Sequence, residues 1–165
     1  MLKKTPANAI RGLVVVLGVS LPLAGAMADV GSPMTVTAQV NNACTIDGTG
    51  TVDFGTIDPA IDNDTSNGID FTCTTGFTPQ MTIDGGGQGN INNRAMDSGG
   101  NLLSYQLYSD VAGGTVWGDT PATGKQVVGT GVSATTTVYG RVAQADAAVA
   151  LGGTYNDTVT VTIVF

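Results

Sequence analysis

Two runs of alternating apolar and small polar residues bracket the chain. Met34-Thr-Val-Thr-Ala-Gln-Val40 sets Met34, Val36, Ala38 and Val40 on one side of an extended ribbon. Tyr155-Asn-Asp-Thr-Val-Thr-Val-Thr-Ile-Val-Phe165 does the same for Val159, Val161, Ile163 and Phe165. Side chains on a strand alternate between faces, so each run predicts a strand with one apolar stripe. Shorter runs at 43–46, 51–57, 69–74, 80–83, 102–108 and 135–142 predict further strands, with Leu103, Tyr105 and Leu107 sharing a face. Segments rich in Asp, Asn and Gly, above all 58–68 and 85–100, separate them and read as loops. Strands at short intervals with turn chemistry between them are the pattern of a sandwich or barrel, in one domain.

The hydropathy pattern differs in kind at the N-terminus. Lys3, Lys4 and Arg11 flank an apolar stretch over 12–23, and Ala26-Met27-Ala28 follows as a small-residue cleavage site. Residues 1–28 therefore read as an export signal; Gly18, Ser20 and Pro22 interrupt a stretch already short for a membrane span. The expected mature part is 29–165, read as an N-terminal strand segment at 29–42 and a β domain at 43–165. One alternating ribbon then opens the mature chain and the other closes it. That layout suits a subunit that lends a strand to a neighbour and borrows one back, and it points to polymerisation rather than catalysis.

Charge sharpens the picture. Beyond residue 28 only Arg94, Lys125 and Arg141 are basic, against thirteen aspartates and no glutamate, a formal charge of −10. Such a surface repels phosphate backbones and anionic lipid, which argues against nucleic acid as a partner. The absence of Glu and the near absence of Lys remove good helix formers, while Thr and Val favour strands; only a turn or so of helix is expected, at 143–151. The chain reads as all-β.

Cys44 and Cys73 are an even pair in an exported chain, which implies a disulfide. With no His in the sequence, two thiols do not fill a tetrahedral metal shell. Asp62-Asn-Asp64-Thr-Ser66-Asn-Gly68 partly imitates a calcium loop. Its sixth and twelfth positions hold Asn67 and Cys73 where Gly and a bidentate Glu belong, so turn formation is the better account. No metal and no cofactor is called for.

Catalytic chemistry is sparse. Ser–His and Cys–His arrangements need a histidine that the chain lacks. Lys125 reads as an exposed turn residue, and Gly85-Gly86-Gly87-Gln88-Gly89 lacks the Lys-Ser/Thr of a phosphate loop. Tyr105, Tyr108 and Trp117 invite a sugar-stacking reading, but Tyr105 shares a stripe with Leu103 and Leu107 and is assigned to the core.

Several stretches together resemble the spore coat protein U family: Cys44-Thr-Ile, Val52-Asp-Phe54-Gly55, Ile69-Asp-Phe71-Thr-Cys73, Leu103-Ser-Tyr105-Gln-Leu107-Tyr108-Ser-Asp110 and Trp117-Gly118. So do Val138-Tyr139-Gly140-Arg141-Val142 and the segment from Gly153 to Phe165. The resemblance spans about residues 34 to 165. It implies a subunit of an archaic chaperone–usher pilus: an incomplete immunoglobulin-like β-sandwich whose groove is filled first by a periplasmic chaperone. At an outer-membrane usher, the N-terminal strand of the next copy or a related pilin then replaces the chaperone, placing the fibre at the cell surface in adhesion or biofilm formation. On that resemblance the donor strand is Met34, Val36, Ala38 and Val40, and the acceptor groove is lined partly by Val159, Val161, Ile163 and Phe165. The runner-up is a monomeric coat or ligand-binding sandwich for sugar or calcium.

Overall fold

A computed structural model describes residues 29–165. The export signal read at 1–28 lies outside the described residues. Residues 39–165 form one compact unit. Its strands are β1 (Cys44–Gly48), β2 (Asn63–Cys73), β3 (Gln80–Ile83), β4 (Arg94–Ser98), β5 (Asn101–Tyr108), β6 (Lys125–Gln126), β7 (Ala134–Val142) and β8 (Val161–Val164), with one helical turn, α1 (Gln144–Ala147). They make a five-stranded sheet, β1-β2-β7-β5-β4, and a three-stranded sheet, β6-β3-β8, in which every pairing is antiparallel.

Alternation explains why these segments are strands and which way they face. Ile69, Phe71 and Cys73 of β2, Leu103, Tyr105 and Leu107 of β5, and Val138 and Val142 of β7 all point inward. Met81 and Ile83 of β3 meet them from the smaller sheet, and Trp117 and Val127 complete a single core. Each large side chain buried this way contributes roughly 1.5–3 kcal/mol relative to exposure. The result is a two-layer all-β sandwich with unequal layers. Cys44 and Cys73 face each other across β1 and β2 and are joined by a disulfide, with Cα atoms 4.1 Å apart.

Several expectations from the sequence need correction. The 58–68 loop ends early, because β2 begins at Asn63 and pairs with β7 along its whole length. Its inward positions in this half are polar: Thr65 Oγ1 donates to the Asp53 carbonyl at 2.7 Å and Asn67 Nδ2 to the Thr49 carbonyl at 2.7 Å. Second, segment 51–57 forms no ladder; the Thr65 side chain of β2, not a strand's main chain, meets its Asp53 carbonyl. It still turns Val52, Phe54 and Ile57 onto the core. Third, the 85–100 loop hides a one-turn 3-10 helix at Gly86–Gln88 and the strand β4, whose most deeply buried residue is the charged Arg94, next to buried Ala95. At the other end, the predicted 155–165 strand shortens to β8, preceded by an isolated bridge from Asn156 to Asp97.

Residues 29–42 form neither helix nor strand, and Met34, Val36 and Val40 are each more than four-fifths exposed.

Candidate functional site

The smaller sheet stops at β8. Asp84 N–H donates to the Thr160 carbonyl at 3.1 Å, and Thr82 pairs with Thr162. Antiparallel bonds alternate along a strand, so the N–H and C=O groups of Val161 and Ile163 point away from β3. Among the described residues no strand pairs with that edge. The side chains of Val159, Val161 and Ile163 turn toward the core.

Across from this edge runs segment 49–57. Between the two lies a groove of about 930 Å³, walled by Val52, Phe54 and Ile57 on one side and Val159 and Val161 on the other, over a floor that includes Ile69, Leu103, Leu107 and Val138. Segment 49–57 comes this close to the larger sheet because β7 carries Gly140 there. A Cβ at that position would lie 2.9 Å from the Phe54 ring and 3.0 Å from Val52. Phe54 in turn meets Tyr105 edge-on, centroids 6.2 Å apart.

Polar groups line the groove beside the start of β8. Tyr105 donates its hydroxyl to Asp157 Oδ2 at 2.6 Å, while Asp157 Oδ1 accepts the N–H groups of Gly87 and Thr158, each at 2.8 Å. Burial, followed by the bond and charge of Asp157, pushes the Tyr105 phenol well above its ordinary range. Asp84 Oδ1 accepts from Gly86 at 3.0 Å and Thr160 at 2.9 Å. Burial would raise the Asp84 carboxyl, but those backbone donors hold it below its usual value. The glycine run is thus a seat for two aspartates that hold the approach to β8. Gly86 has φ of +65°, and a Cβ there would fall 2.1 Å from Asp157 Oδ2.

Behind the glycine seat, Arg94 donates from Nε to the Asp84 carbonyl at 2.8 Å, from Nη2 to the carbonyls of Ile83 and Trp117 at 3.0 and 2.7 Å, and from Nη1 to Gln106. Its cation ties β3, β4 and β5 together, and burial lowers its pKa. Lys125 also departs from expectation: it lies in β6, its ammonium 5.2 Å from the Trp117 ring centroid, and it donates to the Thr137 carbonyl at 3.1 Å.

Of the predicted acceptor residues, Val159 and Val161 line the groove, and Ile163 packs on the core without lining it. Phe165 is 71% exposed and its ring meets Phe77 edge-on, centroids 5.4 Å apart. Sequence reasoning did not identify the opposite wall or the Tyr105–Asp157 bond. The alternation of Val52 and Phe54 marked that wall as apolar, but nothing in its pattern says that it faces β8. The acidic stretch once compared with a calcium loop is committed elsewhere: Asp64 binds Arg141 in a bidentate pair at 2.6 and 2.7 Å, and Asp62 lies 3.2 Å from the same guanidinium. Among the described residues, no three acidic, His or Cys side chains are grouped to hold a metal ion.

The Spore Coat Protein U domain family matches residues 31–162 of this chain. Protein U of Myxococcus xanthus is 34% identical over 147 residues, covering 78% of this chain and 80% of its own length. Among solved structures, the chain is similar in fold to a chain of the chaperone–tip adhesion subunit pre-assembly complex CsuC–CsuE, from archaic chaperone–usher Csu pili of Acinetobacter baumannii. That likeness has a TM-score of 0.55 and 22% identity over 76% of this chain, which spans 40% of the length of the solved one.

Proposed function

Because the chain belongs to the spore coat protein U domain family, we propose that it is a structural subunit of a surface fibre built by the chaperone–usher route. Residues 29–42 serve as a donor segment and 43–165 as the receiving domain. The observation that carries this reading is the free edge of β8 beside an apolar groove. A sheet edge with unpaired backbone groups over exposed core is a template for another strand. An added strand satisfies the backbone while its alternate side chains fill the groove.

Met34, Val36, Ala38 and Val40 have the required period, and their exposure leaves them free to enter another copy. On this reading Val159, Val161 and Ile163 receive them, with Val52 and Phe54 as the facing wall and Phe165 at the margin. A donor on one copy and an acceptor on the next make a head-to-tail contact, which propagates as an open filament. A periplasmic chaperone would hold the groove beforehand, and an outer-membrane usher would exchange it for the next subunit. The product is an extracellular fibre, with attachment and biofilm formation as its proposed roles. Likeness of fold to a chain of the tip adhesion subunit complex supports that partner set. The mechanism is binding, with no cofactor.

Val36→Asp tests the donor assignment. A carboxylate entering an apolar groove costs several kcal/mol or forces its own protonation, so fibre yield is expected to fall to background with export intact. Thr37→Asp, on the opposite side of the same ribbon, is expected to assemble. Wild-type fibre from V36D would remove Val36 from the groove.

A further inference from the structure

Two clusters of exposed apolar side chains remain unexplained by the core, and they sit at opposite poles of the sandwich. At the disulfide pole, Val128 and Val132 are 54% and 67% exposed and Phe165 71%. Their loop is tied there by Gly131 N–H to the Cys73 carbonyl at 3.0 Å and Gly129 N–H to the Phe77 carbonyl at 2.7 Å, and Phe165 packs on Phe77. At the other pole, Ile61, Val149 and Leu151 are 57%, 78% and 62% exposed. Gln144 joins their two loops, donating from N to Asp62 and from Nε2 to the Pro59 carbonyl. Pro59, Ala150 and Leu151 also line the mouth of the groove. A contiguous exposed apolar patch marks a contact surface more often than an accident of packing.

The groove has a direction. It runs out to the pole of Leu151, where Pro59, Ala150, Leu151 and Gly153 line it, whereas neither Cys44 nor Phe165 of the disulfide pole does. A donor strand attached to a folded body therefore enters with that body at the Leu151 pole. The tether is short. Ala43 N–H donates to Thr74 Oγ1 at 3.0 Å, Thr74 N–H to the Ala43 carbonyl at 3.0 Å, and Thr74 Oγ1 to the Asn41 carbonyl at 3.1 Å. Only Asn41 and Asn42 separate Val40 from this anchored point, which at full extension is about 10 Å of chain. The anchor lies at the donor's own disulfide pole, next to Cys73.

We infer that the apolar lip Ile61, Val149 and Leu151 of one copy is covered by Val128, Val132 and Phe165 of the copy whose N-terminal segment fills its groove. This contact rests on the donor-strand reading and adds to it a body-to-body interface that fixes the angle between successive subunits. Both clusters then leave water at each junction of the fibre.

Photo-crosslinking in intact fibres tests it. A benzophenone amino acid replaces Leu151 in one strain and Val149 in a second; Ser66, exposed on the outer face of β2, is the control site. Irradiated fibres are boiled, and covalent dimers are digested with trypsin, which cuts after Lys125 and Arg141. The expected product is a boiling-resistant dimer from either lip position, joined to segment 126–141 or to Phe165 of another copy, with none from position 66. Fibres with a heat-labile ladder but no covalent dimer from either lip position overturn the inference and leave donor-strand exchange standing. So does a dimer joined only to residues 29–125. Absence of a heat-labile ladder from wild-type fibres overturns both.

Discussion

The phenol of Tyr105 fills core space beside Leu103 and Leu107 while its hydroxyl reaches Asp157 in the groove lining. The apolar stripe on β5 was enough to place the ring inside. The partner lay 52 residues away in a segment read as continuous strand, and no local pattern links the two. Because the folded phenol holds its proton more tightly than the ordinary phenol near pH 10, both states are protonated below that pH and the effect is absent there. Above it the unfolded chain loses a proton that the folded one keeps, so stability falls as pH rises past about 10. Tyr105→Phe removes this alkaline slope, and at neutral pH it costs about 1.5–3 kcal/mol through loss of a bond to a charged group. Urea midpoints at pH 7 and above pH 10 check both effects; an unchanged midpoint at pH 7 would show that the bond contributes nothing.

At the scale of elements, legibility followed apolar alternation. β3, β5, β7 and the second half of β2 were visible because apolar residues fall on an alternate-residue register along each. The first half of β2 was not, since its half-buried positions are Asn63, Thr65 and Asn67. Nor was β4, whose most deeply buried residue is Arg94, with Ala95 and Met96 as its only apolar residues. Thr65, Asn67 and Arg94 are satisfied by main-chain carbonyls ten or more residues away, Asn63 by those of Asp58 and Ile61 close by. Segment 51–57, met by Thr65 at the Asp53 carbonyl, forms a groove wall without a ladder. The disulfide was legible from parity and compartment alone, and it clamps β1 to β2 at the pole where the N-terminal segment leaves. Closing a loop of this length stabilises by about 3–4 kcal/mol in the chain-entropy account. Cys44→Ser is therefore expected to lower the thermal midpoint and the periplasmic yield, measured by calorimetry and by immunoblot of the periplasmic fraction. Equal midpoints under non-reducing conditions would deny the bridge any role in stability.

The whole molecule is an acidic sandwich with a three-stranded layer, a free edge and an apolar groove alongside it. Of the charged side chains among the described residues, only Asp53 and Asp157 line the groove, and Asp157 is already bonded to Tyr105. That distribution leaves the acidic residues to keep the outer surface hydrated, while the groove stays suited to an uncharged ribbon such as Met34–Val40. Both halves of the proposed junction were visible in the sequence as matching periods of two. Their complementarity was not, because a period gives the face of a strand and not the surface it meets. The central claim is that the two halves join different copies of the chain. Surface material released by shear, run unboiled beside boiled and probed with an antibody to this chain, tests it most directly. The account predicts a ladder rising by one subunit per step that collapses to a single band on boiling; a single monomer band in both lanes would contradict it.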